Sequence, residues 1–508
     1  MSEPSPAGAA LLVPAARTAN RLGARLLGLT LAVYTLGFFA FRPQVLGVSD
    51  EASYVRAAAA LAHGSLRVEE IDPHTLKVHR VLPSSYPLGT SLLQTPFVFA
   101  FGWRWAPLAS LGSLLGAALL LGHLLWRRGQ NPAYALLLVG YVPTLVLGRV
   151  AMSDLPSALL VSGVLALLFS PAPLRRRDYF LIGLLAGLSL LLRETNAVVL
   201  GPLCLGVLLR RERGWPALVA GGVLGVLARL GTSWVAFGSP FFARPNPYGF
   251  SLEGLLSAAP LYLTALLVLV PAGLAWTLSW RGPRRAEVLV TSWVTFFFFC
   301  AYEYSGVESG PLRRLVLGPR YFIPLVPLLA LTAAEGLPRL SAWLAVRGQG
   351  AGTSGRAARA ASQALRPLGL VWASAVVVAA ALVHPVHAAW GARQREMSAE
   401  IFAHTGAGAV LVSNTVATGK LVNELYGSRV LLGRDQITPL HLAELEQRFG
   451  EVDLVFIDRP VSEFFEAERQ RNELLITGAA ERCTLESLHD QRHGLDERLR
   501  VIRASRCR

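Results

Sequence analysis

Two carboxylates stand side by side at Asp50-Glu51, directly after the first long apolar run of a 508-residue chain. Tyr54 follows about one helical turn later, and Ser85-Tyr86-Pro87-Leu88-Gly89 closes the same polar stretch, Ser49 to Gly89. Charged groups at a membrane exit are costly unless they meet water or a partner. Further along, Asp154 sits in Ser153-Asp154-Leu155-Pro156, Arg193-Glu194 interrupts an apolar run, and Arg320-Tyr321 lies within Gly318-Pro319-Arg320-Tyr321-Phe322. Each alone has a plain reading. A carboxylate at a helix end caps it, and an arginine at a membrane boundary snorkels to the headgroups. Together they suit one chemistry. A positioned carboxylate takes the proton of an attacking hydroxyl. Guanidiniums stay charged and grip phosphate oxygens in pairs. A phosphate held between helices at a membrane surface is what a lipid phosphate presents.

Composition supports a membrane setting. The chain is 53% hydrophobic and 16% charged, with a mean hydropathy of +0.45, whereas soluble domains carry roughly 25% charged residues. The net charge of +15 does not point to nucleic acid. Arg175-Arg176-Arg177, Arg210-Arg211-Arg213, Arg281 with Arg284-Arg285, and the Arg347 to Arg366 stretch all lie between apolar runs. That is the pattern of cytoplasmic loops, and no basic-aromatic interleaving accompanies it.

These loops set the expected topology. Residues 1–21, with Arg17 and Arg21, form a cytoplasmic segment, and Leu22 to Phe41 is a retained first helix that delivers Asp50 to the outer side. Tyr54, Ala58 and Leu61 recur at helical spacing, so residues 50–62 are expected to be helical. Parity then leaves the run 88–103 unable to cross once; it is re-entrant, interfacial or a hairpin. Residues 179–209 have arginine clusters on both flanks and Arg193-Glu194-Thr195-Asn196 in the middle. Two half-length helices meeting at an outer polar tip are favoured over one tilted span with an internal ion pair. The basic, Gly/Ala/Ser-rich stretch Arg339 to Pro367 reads as a flexible cytoplasmic linker.

Beyond residue 390 the character changes. Ala409-Val410-Leu411-Val412 and Val452 to Ile457 read as strands, and Leu440 to Phe449 and Val461 to Leu475 as helices. The expected architecture is a polytopic α-helical bundle, 22–390, of about 10 to 12 transmembrane helices with a catalytic outer loop at 42–88. A small soluble α/β domain, 391–508, follows on the same outer face. Cys204 and Cys300 fall in apolar runs and read as buried small hydrophobes. Cys483 and Cys507 lie in the tail, where spacing permits a disulfide without proving one.

The ordered motifs resemble those of GT-C glycosyltransferases over roughly residues 20 to 340. Asp50-Glu51 with Tyr54 resembles the acidic motif of their first outer loop. Tyr86-Pro87-Leu88-Gly89 is similar to their Tyr-Pro-Pro-Gly segment, with Leu88 in place of the second proline. Ser153-Asp154-Leu155-Pro156 matches their second acidic site, and Arg193-Glu194, Phe237-Gly238-Ser239-Pro240 and Gly318-Pro319-Arg320-Tyr321 also fit. The nearest patterns are those of dolichyl-phosphate-mannose mannosyltransferase-like and aminoarabinose-transferase-like proteins that use polyprenyl-phosphate sugars.

The resemblance implies an integral protein of the bacterial inner (plasma) membrane, with its active site and C-terminal domain outside the cytoplasm. It implies sugar transfer from a polyprenyl-phosphate donor to a hydroxyl of a glycan, lipid or protein acceptor, with inversion. Asp50 would be the base, with Glu51 and Asp154 orienting it or holding a cation. Arg193 and Arg320 would hold the departing phosphate, and Tyr54, Tyr86, Glu194 and Tyr321 would line the substrate site. Some members of this fold use a divalent cation. Glu69, Glu70, Asp72, His74 and His79 could ligate one, but their spacing matches no dedicated site and a solvated loop is the favoured reading. No cofactor is expected with certainty. Two other function classes compete. A transporter or flippase for a lipid-linked or anionic solute would use the same charges, but with paired repeats that this sequence does not display. A non-catalytic scaffold would use the outer domain to bind a partner.

Overall fold

The computed structural model describes residues 6–46, 49–72, 75–242, 249–302, 318–349, 353–422, 429–459, 463–493 and 497–508. His74, Arg244 to Tyr248, Glu303, Glu308, Arg313 and Arg314, all singled out above, lie outside them. Contacts divide the chain into two compact units, one of 1–42, 86–97 and 105–386, the other of 43–85, 98–104 and 387–508. The second unit therefore takes in the acidic loop as well as the tail.

The first unit is helical. Among the described residues, five helices are long and apolar enough to cross a membrane: Asn20–Ala40, Trp103–Arg127, Trp215–Phe237, Leu252–Leu269 and Thr353–His404. Asp154–Leu168 and Asn196–Leu209 are apolar but shorter. The run after the acidic loop becomes helix Gly89–Phe101, whose 13 residues reach about 20 Å, short of the roughly 30 Å hydrocarbon core.

The interrupted run at 179–209 folds as two helices, Arg176–Leu192 and Asn196–Leu209. Their far ends meet, because Tyr179 near the start of the first donates to Glu212, just past the end of the second, at 2.8 Å. They are therefore a hairpin whose tip is Arg193 to Thr195. At its base, burial alone would raise the Glu212 carboxyl. Hydrogen bonds from Arg284 (2.7 Å) and Tyr179 outweigh that and hold it below the ordinary carboxylate range.

The hairpin's first helix packs on Trp215–Phe237 through facing glycines. A Cβ on Gly187 would come 2.6 Å from the Gly222 carbonyl oxygen, and one on Gly225 would come 2.7 Å from the Leu188 nitrogen. Gly183 and Gly187, like Gly221 and Gly225, are four apart on one helix face. This is the small-xxx-small contact that lets membrane helices approach closely.

The stretch read as a flexible linker is mostly helix. Val326–Arg347 covers its first nine residues, Arg339 to Arg347, and Thr353–His404 covers the rest from Thr353. Alanine and arginine are strong helix formers, and their density in Gly355 to Arg366 outweighs the glycines that suggested a coil. Cys300 is buried as expected, whereas Cys204 is only half-buried, because its helix faces the surface on that side.

In the second unit, the tail forms a five-stranded sheet in the order β4-β3-β5-β7-β6. Strand β3 (Val410–Ser413) pairs in parallel with β4 (Val430–Gly433) and β5 (Val452–Asp458), whereas β7 (Glu497–Ser505) runs antiparallel to β5 and to β6 (Thr484–His493). Every residue of β3 is buried, as are the first six of β5, as expected of strands covered on both faces. Cys483 and Cys507 are joined in a disulfide. The acidic loop adds helix Ser49–Ala62 and an antiparallel hairpin, β1 (Val68–Ile71) with β2 (Val78–Val81). Leu76, in the hairpin turn, is buried in the tail's own core with Val410, Leu442 and Phe456. Arg448 donates to its carbonyl oxygen at 2.8 Å.

Candidate active site

In the first unit the charged residues of three motifs meet. Asp154 opens helix Asp154–Leu168 and is completely buried. A helix N-terminus favours an anion there. Arg193 ends helix Arg176–Leu192 with an extended backbone and donates from Nη1 to Asp154 Oδ1. The break behind it is pinned to the Asp154 helix by Asn196, which donates to Ser157 Oγ and to the Ser189 carbonyl, each at 2.9 Å. Asp154 Oδ2 is also buried and accepts no hydrogen bond from the described residues.

The third motif is a one-turn 3-10 segment, Gly318–Phe322, buried throughout. Tyr141 donates to the Pro319 carbonyl at 2.6 Å. A Cβ on Gly318 would press on the Tyr262 ring at 2.9 Å, so only glycine lets the segment lie so close. Tyr321 stacks on Phe299 with centroids 5.3 Å apart and meets Tyr302 edge-on. The guanidinium carbon of Arg193 lies 5.3 Å from the Tyr321 ring centroid and that of Arg320 lies 5.2 Å from it. The two cations are therefore no more than about 10.5 Å apart, gathered on one aromatic ring.

The Tyr86-Pro87-Leu88-Gly89 motif braces this cluster from behind. A Cβ on Gly89 would fall on the Leu191 backbone, two residues before Arg193. Gln94, on the same short helix, donates to the Ala151 carbonyl at 2.9 Å, three residues before Asp154. Tyr86 itself is half-buried. Glu194 turns away from Asp154 and takes a hydrogen bond from Arg229 of helix Trp215–Phe237. Arg229 is nine-tenths buried and also donates to the Phe242 carbonyl at 3.1 Å.

In the second unit, Asp50 and Glu51 occupy the first turn of helix Ser49–Ala62. Asp50 is partly exposed, whereas Glu51 and Tyr54 are buried. Arg56, on the same helix, pairs with Glu70 of β1 at 2.5 Å, tying the helix to the hairpin. The described carboxylates and imidazole of the hairpin have protein partners: Glu69 with Arg80 at 3.5 Å, and His79 with Asp72 at 3.8 Å.

Among the described residues of the first unit, two buried basic residues went unread in the sequence. Arg229 interrupts an apolar helix, and a charge inside a span is itself a functional signal. Arg149, almost fully buried, donates to the Phe41 carbonyl and contacts His384 Nδ1. It closes the apolar run 134–150.

No protein-family model matches the chain, and no curated protein matches it. Solved structures do. ArnT from Cupriavidus metallidurans in the apo state matches with TM-score 0.60 at 15% identity, over 94% of this chain and 97% of that one. The same protein bound to undecaprenyl phosphate matches with TM-score 0.61 at 16% identity, over the same shares of both chains. The oligosaccharyltransferase of Archaeoglobus fulgidus, tethered to an acceptor peptide containing the NVT sequon, matches with TM-score 0.50 at 10% identity, over 92% of this chain and 72% of that one. At these identities the likeness is one of fold: the chain has the GT-C fold, helical bundle and C-terminal sheet domain together.

Proposed function

We propose that this protein transfers a sugar from a polyprenyl-phosphate carrier to a hydroxyl of an acceptor outside the cytoplasm. The observation that carries the reading is the convergence of Arg193 and Arg320 on Tyr321 beside the buried Asp154. Two cations fixed on one ring at the ends of apolar helices suit a lipid-linked phosphate. The fold likeness to an ArnT bound to undecaprenyl phosphate supports the same donor class. The Cys483–Cys507 disulfide supports an outer location for the second unit, since such bonds persist in oxidising compartments.

In this mechanism the acceptor oxygen attacks the anomeric carbon from the face opposite the phosphate. The bond to the phosphate oxygen breaks, and its electron pair leaves with the polyprenyl phosphate. Asp50 receives the acceptor proton, and Glu51 in the same helical turn orients it. Arg193 and Arg320 stabilise the charge growing on the leaving group, and Asp154 fixes Arg193 from behind. One displacement inverts the anomeric centre. Tyr54, Tyr86, Glu194 and Tyr321 line or shape the substrate region.

The donor atoms beside the arginines do not suit a divalent cation. Asp154 Oδ2 is a buried carboxylate oxygen without a hydrogen bond among the described residues, and Arg193 already pairs with its group. No step is therefore assigned to a metal.

The test is a purified-enzyme assay with a polyprenyl-phosphate sugar and envelope-lipid or glycan acceptors, with and without EDTA, product anomers being assigned by NMR. A new glycosidic bond of inverted configuration supports the reading. Movement of the lipid across vesicles with no glycosidic product overturns it in favour of a transporter.

A further inference from the structure

Away from the arginine cluster, the second unit brings three metal-binding side chains together. Helix Thr353–His404 ends beside β6, the outermost strand of the sheet. Its last turns carry Glu400 and His404, four residues apart and so on one helix face. Strand β6 carries His489 and His493, also four apart and so on one strand face. A register shift between Ser487 and His489 leaves Leu488 as an extra residue in the strand. Such a bulge breaks the usual alternation of faces. Leu488 packs against the core of Met397 and Ile401, while its neighbour His489 also reaches the helix, at Glu400.

The geometry is that of a ligand set. His493 Nε2 lies 2.7 Å and His489 Nε2 3.5 Å from Glu400 Oε2, and the three atoms are all within 4.8 Å of one another. The three atoms face only one another among the described residues, and all are shielded from solvent. Zinc bonds of about 2.0–2.2 Å to nitrogen and oxygen place tetrahedral ligand atoms about 3.3 Å apart, a spacing this trio reaches by small side-chain rotations. His404 stacks on His489 with ring centroids 4.3 Å apart. His404 Nδ1 lies 2.8 Å from the Glu400 carbonyl oxygen. A carbonyl only accepts, so Nδ1 carries the proton, and the ring is tied to its own helix and steadies His489.

We propose that Glu400, His489 and His493 form a binding site for a divalent transition metal, Zn2+ by the borderline character of two imidazoles and one carboxylate. The ion fastens strand β6, which is paired on one side only, to the end of the long helix. Three protein ligands leave one position for water. The site is independent of the sugar-transfer reading.

The test uses the full-length protein in detergent, freed of any histidine tag, stripped with EDTA, reloaded with Zn2+ alone and desalted. Wild type is expected to retain about one zinc per chain by mass spectrometry. Co2+ in its place should give the intense visible absorption of a tetrahedral site. H489A and H493Q should each weaken zinc binding by about 100-fold or more, beyond the 10- to 100-fold cost of losing a supporting residue. H493Q keeps a hydrogen-bonding side chain, so it decides the matter if the alanine variant does not fold. Wild type desalting free of zinc, or H493Q retaining it as wild type does, overturns the site.

Discussion

Arg193 and Asp154, 39 residues apart in sequence, are joined by an ion pair between the end of one helix and the start of another. The carboxylate is wholly buried and the guanidinium largely so. Removing one partner strands the other in a poorly hydrated place. Asp154→Ala should therefore destabilise the protein by about 3 kcal/mol. The double variant D154A/R193A should lose less than the sum of the single losses. Thermal unfolding of the four proteins in one detergent measures this; strict additivity would mean that the pair is not coupled.

Asp50→Asn keeps the size of the side chain and removes its basicity. If Asp50 takes the acceptor proton, turnover should fall by about 100- to 10,000-fold, the usual contribution of a positioned base, while expression and membrane insertion persist. The same variant should still bind the lipid phosphate, because the arginines assigned to it belong to other motifs. Turnover near that of wild type would remove Asp50 from the reaction.

Gly187→Val places a branched side chain where the Gly222 carbonyl and the Gly225 backbone lie. Helices Arg176–Leu192 and Trp215–Phe237 must then part. We expect a loss of about 1–3 kcal/mol, the usual cost of overpacking. The Arg229–Glu194 pair spans these helices, so activity should fall with stability. A midpoint of thermal unfolding equal to that of wild type would show that the contact tolerates bulk.

The disulfide closes a sequence separation of 24 residues at the far end of the sheet. Replacing both cysteines by serine should cost about 2–4 kcal/mol. Protein taken directly from membranes should resist thiol alkylation at Cys483 and Cys507 until it is reduced. Free thiols at both positions would place the second unit on the reducing side.

The helices and the order of motifs could be read from the sequence because apolar runs and basic loops are local signals. The break at Arg193 was visible for the same reason: four polar residues inside a span have few places to go. Hairpin β1–β2 was not legible. Val68 to Ile71 and Val78 to Val81 are short and charged, and they become strands only by packing on a core almost 400 residues later. The helical course of Gly355 to Arg366 was missed because the glycines just before it, Gly348, Gly350 and Gly352, were given more weight than its alanines. Arg229 was passed over although it interrupts an apolar run, and its partner Glu194 lies 35 residues away in the sequence. Glu400 and the two β6 histidines could not be linked in advance, since the bulge at Leu488 decides which way His489 turns.

The seating of Leu76 among Val410, Leu442 and Phe456 has a bearing on biosynthesis. The loop that carries the acidic pair leaves the ribosome early, yet the core that seats Leu76 begins only at Val410. A chain cut short after its final span would lack the core in which Leu76 is seated, and the loop carrying Asp50 and Glu51 would lose that anchor. If Asp50 is the base of the proposed transfer, its placement then waits on synthesis of the tail.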